Sequence, residues 1–408
     1  MLHIGQEEID AVSRVIKSGY LFRYGDRKAG HPNECARFEE ELARKTGTQY
    51  ALAVTSGTAA IICGLVGLGV GPGDEVILPG YTFMASALAP LAVGAIPVIA
   101  EIDESLTLDP KDAEAKITPR TRVIMPVHMC GLPCNMEAIM RVARRHNRLA
   151  RAARPGAEVK VLEDACQADG GSYKGKRLGS IGELGAFSFN YYKNITSGEG
   201  GAIVTSDQVV HERALIHHDG GAIFRPHAKD IGVPFFAGWN FRLNEILGAV
   251  LRVQLKRVDG LLARTRARKK KMVAALEGMG LRSIRYHDLE GDCGTTVGLL
   301  FSSEREARAF IAALAKQGVG ASTPIDSGRH VYSNWEPVMQ RRGSYHPALD
   351  AFRRPENRGS QVKYTQDMCP RTLDILSRAV LLGISPREMP ADLRRRIQAC
   401  RRAADEVG

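Results

Sequence analysis

Seven short β-rich runs, most of them separated by helical patterns, limit this chain more than any other feature of its sequence. The runs are 50–55 (YALAVT), 75–79 (EVILP), 97–102 (PVIAEI), 122–128 (RVIMPVH), 159–163 (VKVLE), 185–189 (GAFSF) and 202–205 (AIVT). Helical patterns such as GTAAIICGLVGLG and CNMEAIMRVARRHN fill the gaps. Two parallel strands need a crossover long enough for a helix, so this alternation predicts an α/β fold: a mostly parallel seven-stranded sheet with helices on both faces. A long helical pattern between 241 and 280 then leads into a second, smaller α+β segment. At 408 residues two domains are the default. The expected division is a large domain over 1–255 and a small C-terminal domain over 256–408. The Ala/Arg-rich stretch at 148–158 reads as a surface excursion, and no internal repeat is evident.

Composition narrows the function classes. Hydrophobic residues make up 44% of the chain and charged residues 25%, which allows a large core. No apolar run is long enough for a membrane span, and MLHIGQEEIDAVSRV has no signal-peptide core, so a cytoplasmic protein without membrane contact is expected. The eight cysteines are scattered, several of them in apolar runs such as IICGL, and read as buried thiols. CGLPC (Cys130 to Cys134) has no second pair at ligand spacing, so no metal is expected. A net charge of +11 raises nucleic acid as a partner. The basic residues, however, cluster in helical patterns at 255–272 and 393–408 and at 148–156, without a reading module. They are read as solvated faces, with no nucleic-acid partner.

Three stretches carry chemistry. In VTSGTAAI, Ser56, Gly57 and Thr58 stand between a strand and a helix. Backbone N–H groups at a helix N-terminus suit a phosphate there, although Ser-Gly-Thr is also an ordinary N-cap. The glycine-rich GLGVGPGD follows a helix rather than a strand, so a dinucleotide fingerprint fails its context. In LEDACQADGGSYKG, Asp164 and Gln167 follow a buried strand, where a carboxylate faces a ligand crevice or caps the next turn. In FSFNYYKNITSGEGG, Ser188 and Lys193 follow another strand, and the glycines turn the chain sharply back. A free lysine has a pKa near ~10.4 and is a poor nucleophile, but against a cofactor aldehyde it forms a Schiff base. The competing reading is a lysine lying along the surface. A phosphate cradle, an acid able to pair with a pyridinium and a Schiff-base lysine, in that order on successive strand ends, are what pyridoxal 5'-phosphate requires.

With these motifs the chain resembles the fold-type I, PLP-dependent sugar aminotransferases, the DegT/StrS family, over nearly its whole length. Further matching stretches are GDEVILPGYTFMAS, GAIPVIAEID, VIMPVHMCG and GWNFRLNEILGAVLRVQL. The resemblance implies roles. Lys193 would form the Schiff base and move the proton, and Asp164 would keep the ring nitrogen protonated. Gln167 would contact the ring hydroxyl and Phe83 would stack on the ring. Ser56, Gly57, Thr58 and Ser188 would bind the phosphate. Asn240, in GWNFRL, would reach the cofactor of the neighbouring subunit in a homodimer, or else cap the next helix of its own chain.

The resemblance further implies transfer of an amine from glutamate or glutamine, through the pyridoxamine form, to a keto sugar, keto-sugar acid or cyclitol ketone. That chemistry belongs to amino-sugar, antibiotic or polysaccharide biosynthesis. Relatives with histidine at the position of Lys193 remove a hydroxyl instead, so the lysine favours transamination. The alternatives are an eliminating dehydratase and a regulatory or nucleic-acid-binding protein that keeps the fold. Among the branches, GYLFRYGD, VHMCG, LEDACQA and GRHVYSNW are most similar to the 8-amino-3,8-dideoxy-manno-octulosonate type. Arg23, Tyr24 and His330 in those stretches are the candidates to line the acceptor pocket, since an arginine fork suits a carboxylate. A solvated loop arginine is the competing reading for Arg23.

Overall fold

The structure is a computed structural model that describes residues 4–153, 158–221, 223 and 225–407. Its main sheet holds β1 (Tyr50–Val54), β2 (Glu75–Pro79), β3 (Ile96–Ala100), β4 (Thr121–Ile124), β5 (Lys160–Asp164), β6 (Leu184–Ser188) and β7 (Gly201–Thr205). The spatial order is β1-β7-β6-β5-β4-β2-β3. Only β7 runs antiparallel to its neighbours β1 and β6, and the other pairs are parallel. The seven runs read from the sequence are these seven strands, shifted by a few residues at their ends.

The strands are buried along nearly their whole length because helices cover both faces. Alternate side chains of one strand feed different cores. After a first helix, α1 (Gln6–Ser18), and α2 (Glu34–Thr46), the helix α3 (Gly57–Gly67), largely apolar and enclosed, is faced by Leu52, Val76, Leu78 and Leu162. Ala53, Ile77, Ile124 and Val161 face Phe38, of α2, together with Leu251, Leu255 and Val258. The last three lie on a 33-residue helix, Glu245–Glu277, capped by Asn244, whose Oδ1 accepts the Leu247 N–H.

That helix crosses the expected division at 255. Its later residues Met272, Val273 and Leu276 enter a separate core with Phe310, Leu314, Val380 and Leu382. There β8 (Thr296–Leu300) pairs antiparallel with β9 (Ala379–Gly383). The basic run 255–272 is not solvated throughout: Lys269 is fully buried, paired with Asp292 and 4.1 Å from the Tyr286 ring centroid. Between β8 and β9 the chain also returns to the large core, where Tyr332, Trp335, Val338 and Cys369 pack. The 148–158 excursion begins inside a helix, Met136–Ala153, and its residues 154–157 lie outside the described residues.

One buried carboxylate fixes the central strand end. Glu163, the penultimate residue of β5, has no exposed surface. Its oxygens accept the N–H groups of Gly179, Ile181 and Gly182 and the Nε2–H of His128. The other ring nitrogen of His128 accepts the Cys134 N–H at 3.1 Å. Removing this acceptor orphans several buried donors, each costing ~1–3 kcal/mol. Glu163→Ala is therefore expected to destabilise the protein by at least ~3 kcal/mol, with Glu163→Gln between it and wild type. Urea titration followed by circular dichroism reads the effect, and an unchanged midpoint for Glu163→Ala would reduce the network to a minor contact.

Candidate active site

Parallel strands all release the chain at one edge of the sheet, and a cleft of about 1030 Å³ opens there. The chain after β1 supplies Ser56, Gly57 and Thr58, the chain after β2 supplies Thr82, Phe83 and Ser86, and the end of β5 supplies Asp164 with Cys166 and Gln167. Ser188 ends β6, and Lys193 comes after it on the turn back to β7. Nine of the twelve site residues expected from the sequence line this cleft: Ser56, Gly57, Thr58, Phe83, Asp164, Gln167, Ser188, Lys193 and His330.

At the N-terminus of α3, Ser56 Oγ accepts the Ala59 N–H at 3.1 Å, so the N-cap reading holds. The same residues also form a cradle. A Cβ on Gly57 would come within 2.7 Å of Ser188 Cβ and 3.0 Å of Cys166 Sγ. Glycine is what lets the backbone N–H groups of the helix start lie open beside the Ser188 hydroxyl. Such a concave set of donors at a positive helix end fits a phosphate.

Asp164 is buried, and both of its carboxylate oxygens are oriented. Oδ2 accepts Ser86 Oγ–H at 2.7 Å, and Oδ1 accepts the Cys166 N–H at 3.1 Å. Ser86 is itself 2.8 Å from Thr82 Oγ1. Sequence reasoning missed Ser86 and Thr82 as site residues, although their spacing of four within GYTFMAS placed them on one side of a helical turn. Gln167 Oε1 accepts the Cys130 N–H at 2.9 Å, which leaves its amide nitrogen as the group with donors to offer.

Lys193 sits half-buried at the tip of a tight loop. Phe189 N–H reaches Gly200 O, Tyr191 N–H reaches Gly198 O and Lys193 N–H reaches Asn190 O. Gly198 adopts φ +87°, which a side chain would resist, and this explains the glycine-rich stretch behind the lysine. Among the described residues Lys193 forms no ion pair. One acid that feels its charge is the buried Asp169, which it does not reach as an ion pair, so its amine is left available for chemistry. Across from it, the His330 and Phe83 rings lie 5.7 Å apart. Burial, helped by the cations Arg329 and Lys193, lowers the His330 pKa to about 4, so its imidazole is neutral.

The remaining three expected residues lie elsewhere in the chain. Arg23 is buried rather than solvated, and its fork is occupied by Glu39 at 2.6 Å, Ala53 O at 3.0 Å and His218 at 3.2 Å. It has no donor pair to offer a substrate in its own subunit's cleft. Tyr24 packs beside it, 5.4 Å from the Arg225 guanidinium. Asn240 is exposed and its Oδ1 accepts the Arg242 N–H at 3.3 Å; the helix cap that it could have supplied is Asn244.

The chain as a whole has recognisable relatives. A profile of the DegT/DnrJ/EryC1/StrS aminotransferase family matches residues 2–400. The 3-amino-5-hydroxybenzoate synthase of Amycolatopsis mediterranei (strain S699) is 39% identical over 259 residues, 63% of this chain and 62% of that protein. The L-glutamine:2-deoxy-scyllo-inosose aminotransferase of Micromonospora echinospora is 32% identical over 354 residues, 84% of this chain and 80% of that one. The crystal structure of S. venezuelae DesV in complex with a ketimine intermediate is 30% identical, covers 98% of this chain and 95% of its own, and superposes with a TM-score of 0.76. The chain spans only 57% to 62% of the length of several curated relatives that it matches. With a profile match from residue 2 to residue 400, the chain belongs to the DegT/DnrJ/EryC1/StrS aminotransferase family.

Proposed function

We propose that the protein is a pyridoxal-phosphate-dependent aminotransferase that moves an amine from glutamate or glutamine to a keto sugar, keto-sugar acid or cyclitol ketone. The observation that carries this reading is one cleft joining an unpaired Lys193, an Asp164 oriented by Ser86, and a cradle that a Gly57 side chain would fill. These residues fit the cofactor. The open N–H groups of α3 with Ser56, Thr58 and Ser188 would hold its phosphate, Asp164 would face its ring nitrogen, Gln167 its ring hydroxyl and Phe83 its ring face. When bound, the cofactor supplies an aldehyde for the amine and a protonated ring that withdraws electrons.

The chain's own groups do the rest. Ser86 Oγ and the Cys166 N–H fix the Asp164 carboxylate so that it keeps a proton on a ring nitrogen beside it. Lys193 Nζ takes and returns the proton of the carbon that gains or loses the amine. The loop from Asn190 to Gly198 holds that amine at the cleft floor, and Phe83 with His330 narrows access for water.

A second copy of the chain belongs to the reading. Leu21, Phe22, Tyr192, Phe235 and Trp239 are exposed, and Trp239 is 67% exposed, which costs solvation unless the surface is covered. Phe22 lies under both Arg225 and Arg242, joining the 20–24 stretch to the segment that carries Asn240. In a homodimer this surface would bring Asn240 to the partner's phosphate cradle. All eight cysteines are free thiols, which suits a cytoplasmic enzyme. Among the described residues no helix is long and apolar enough to cross a membrane.

Purified protein is expected to be yellow with bound cofactor, and borohydride should attach the cofactor to the peptide carrying Lys193. Label on another lysine would end the assignment. Asp164→Asn should slow the half-reaction with the donor at least ~100-fold, the scale of one catalytic electrostatic contact, and Ser86→Ala by a smaller factor near ~10. Stopped-flow absorbance reads both. Equal rates in wild type and Ser86→Ala would mean that Asp164 needs no orientation. For the shared site, chains carrying Lys193→Ala and Asn240→Ala, each weak alone, should recover activity when mixed, because both lesions fall in the same one of two sites. No recovery in heterodimers confirmed by mass would place Asn240 at its own subunit's cofactor.

A further inference from the structure

The charged side chains around the cleft are Asp164, Lys193, Glu199, Asp326 and Arg329. Every carboxylate among them already has a partner. Asp164 is held by Ser86, Glu199 Oε1 accepts Asn190 Nδ2 at 2.8 Å, and Asp326 is gripped by both terminal nitrogens of Arg308 at 3.0 and 3.1 Å. Neither cation has one among the described residues. Lys193 is committed to the cofactor in the aminotransferase reading, which leaves Arg329 as the one unpaired positive charge of the lining among the described residues.

Arg329 is exposed at the mouth, yet its backbone is fixed. Its carbonyl accepts Trp335 Nε1–H at 3.0 Å, the next carbonyl, of His330, accepts the Thr82 N–H at 2.9 Å, and Asn334 Nδ2 donates to Gly328 O at 3.0 Å. Val331 bridges to Tyr81 just beyond the end of β2. A loop pinned to both the sheet end and a buried tryptophan holds the Arg329 backbone in place beside the cleft, so the side chain starts from a fixed point at the mouth. The planar guanidinium fork matches a carboxylate, and it loses less freedom per hydrogen bond formed than a lysine ammonium would.

We propose that Arg329 is a specificity residue that receives a substrate carboxylate at the cleft mouth, so that the enzyme selects acids over neutral ketones or amines of the same shape. The proposal rests on the aminotransferase reading for its account of Lys193, and the carboxylate can belong to the dicarboxylic donor or to a sugar-acid acceptor. Both sources present the same group to the same fork.

The test compares wild type, Arg329→Gln and Arg329→Lys as cofactor-loaded protein. Isothermal titration with glutarate, a donor mimic without an amine, and with galacturonate, using galactose as the neutral control, reads binding without turnover. Arg329→Gln is expected to weaken at least one acid by ~10-fold or more, the scale of a charge-assisted hydrogen bond, with Arg329→Lys recovering part of the loss. Loss for glutarate assigns the donor carboxylate, and loss for galacturonate assigns the acceptor. In the donor half-reaction a donor-side role should raise KM with kcat within about twofold, the signature of a lost binding contact. The proposal is overturned if wild type binds neither acid, or if Arg329→Gln leaves both affinities within about twofold of wild type. It is also overturned if the main loss is in cofactor affinity, which would place the fork on the phosphate. Failure of the aminotransferase reading has a different sign: wild type would accept no amine from glutamate or glutamine, whatever the titrations give.

Discussion

The Glu163 carboxylate is where the architecture of this protein becomes a site. It is buried at the end of the central strand, and four donors from two loops converge on it. Because side chains alternate along a strand, the next carboxylate in the chain, Asp164, is directed to a different surrounding, against Ser86 and the start of the next turn. Two neighbouring acids thus divide the work. One anchors the strand end and the loop over 179–182, and the other is presented to the cleft. Neither position is tolerable for an acid without partners, since an unpaired buried carboxylate loses its charge or costs several kcal/mol.

The cleft then arises from parallel strands that open in one direction. β1, β2, β5 and β6 release the Ser56-Gly57-Thr58 turn, the Phe83 turn, Asp164 and Ser188 at the same sheet edge, although these residues are up to about 130 positions apart in sequence. The C-terminal part of the chain also contributes, through Thr295 and Thr296 at the start of β8. The return of Tyr332 and Trp335 into the large core carries Arg329 and His330 across to Phe83. A substrate is therefore met by a floor built from the sheet and a rim built from the C-terminal third. In the proposed reading the floor would hold the cofactor and the rim would meet the substrate.

Much of this floor is legible in the sequence. The seven strands are short apolar runs with clear breaks, and each candidate residue on the floor comes directly after one of them, so local pattern and position agree. Ser86 is harder to read because a serine in GYTFMAS carries no signal of its own until a carboxylate from a distant strand lies 2.7 Å away. Arg23 misleads for the opposite reason. Its neighbours in sequence look like an exposed loop, but Glu39 and the Ala53 carbonyl, both from other elements, enclose its guanidinium. The same holds for Lys269, which lies in a basic run and is nonetheless buried against Asp292 and Tyr286.

Sequence by itself therefore determined the α/β class, the order of the strands along the chain and the residue types at the strand ends, because these depend on periodicity and on neighbours a few positions away. It did not determine the order of the strands in space, the antiparallel run of β7, or which charges are paired. Those rest on contacts between residues tens to hundreds of positions apart. Whether an arginine is free to meet a substrate depends on whether an acid from another element reaches it first. Glu39 reaches Arg23, and no acid among the described residues reaches Arg329.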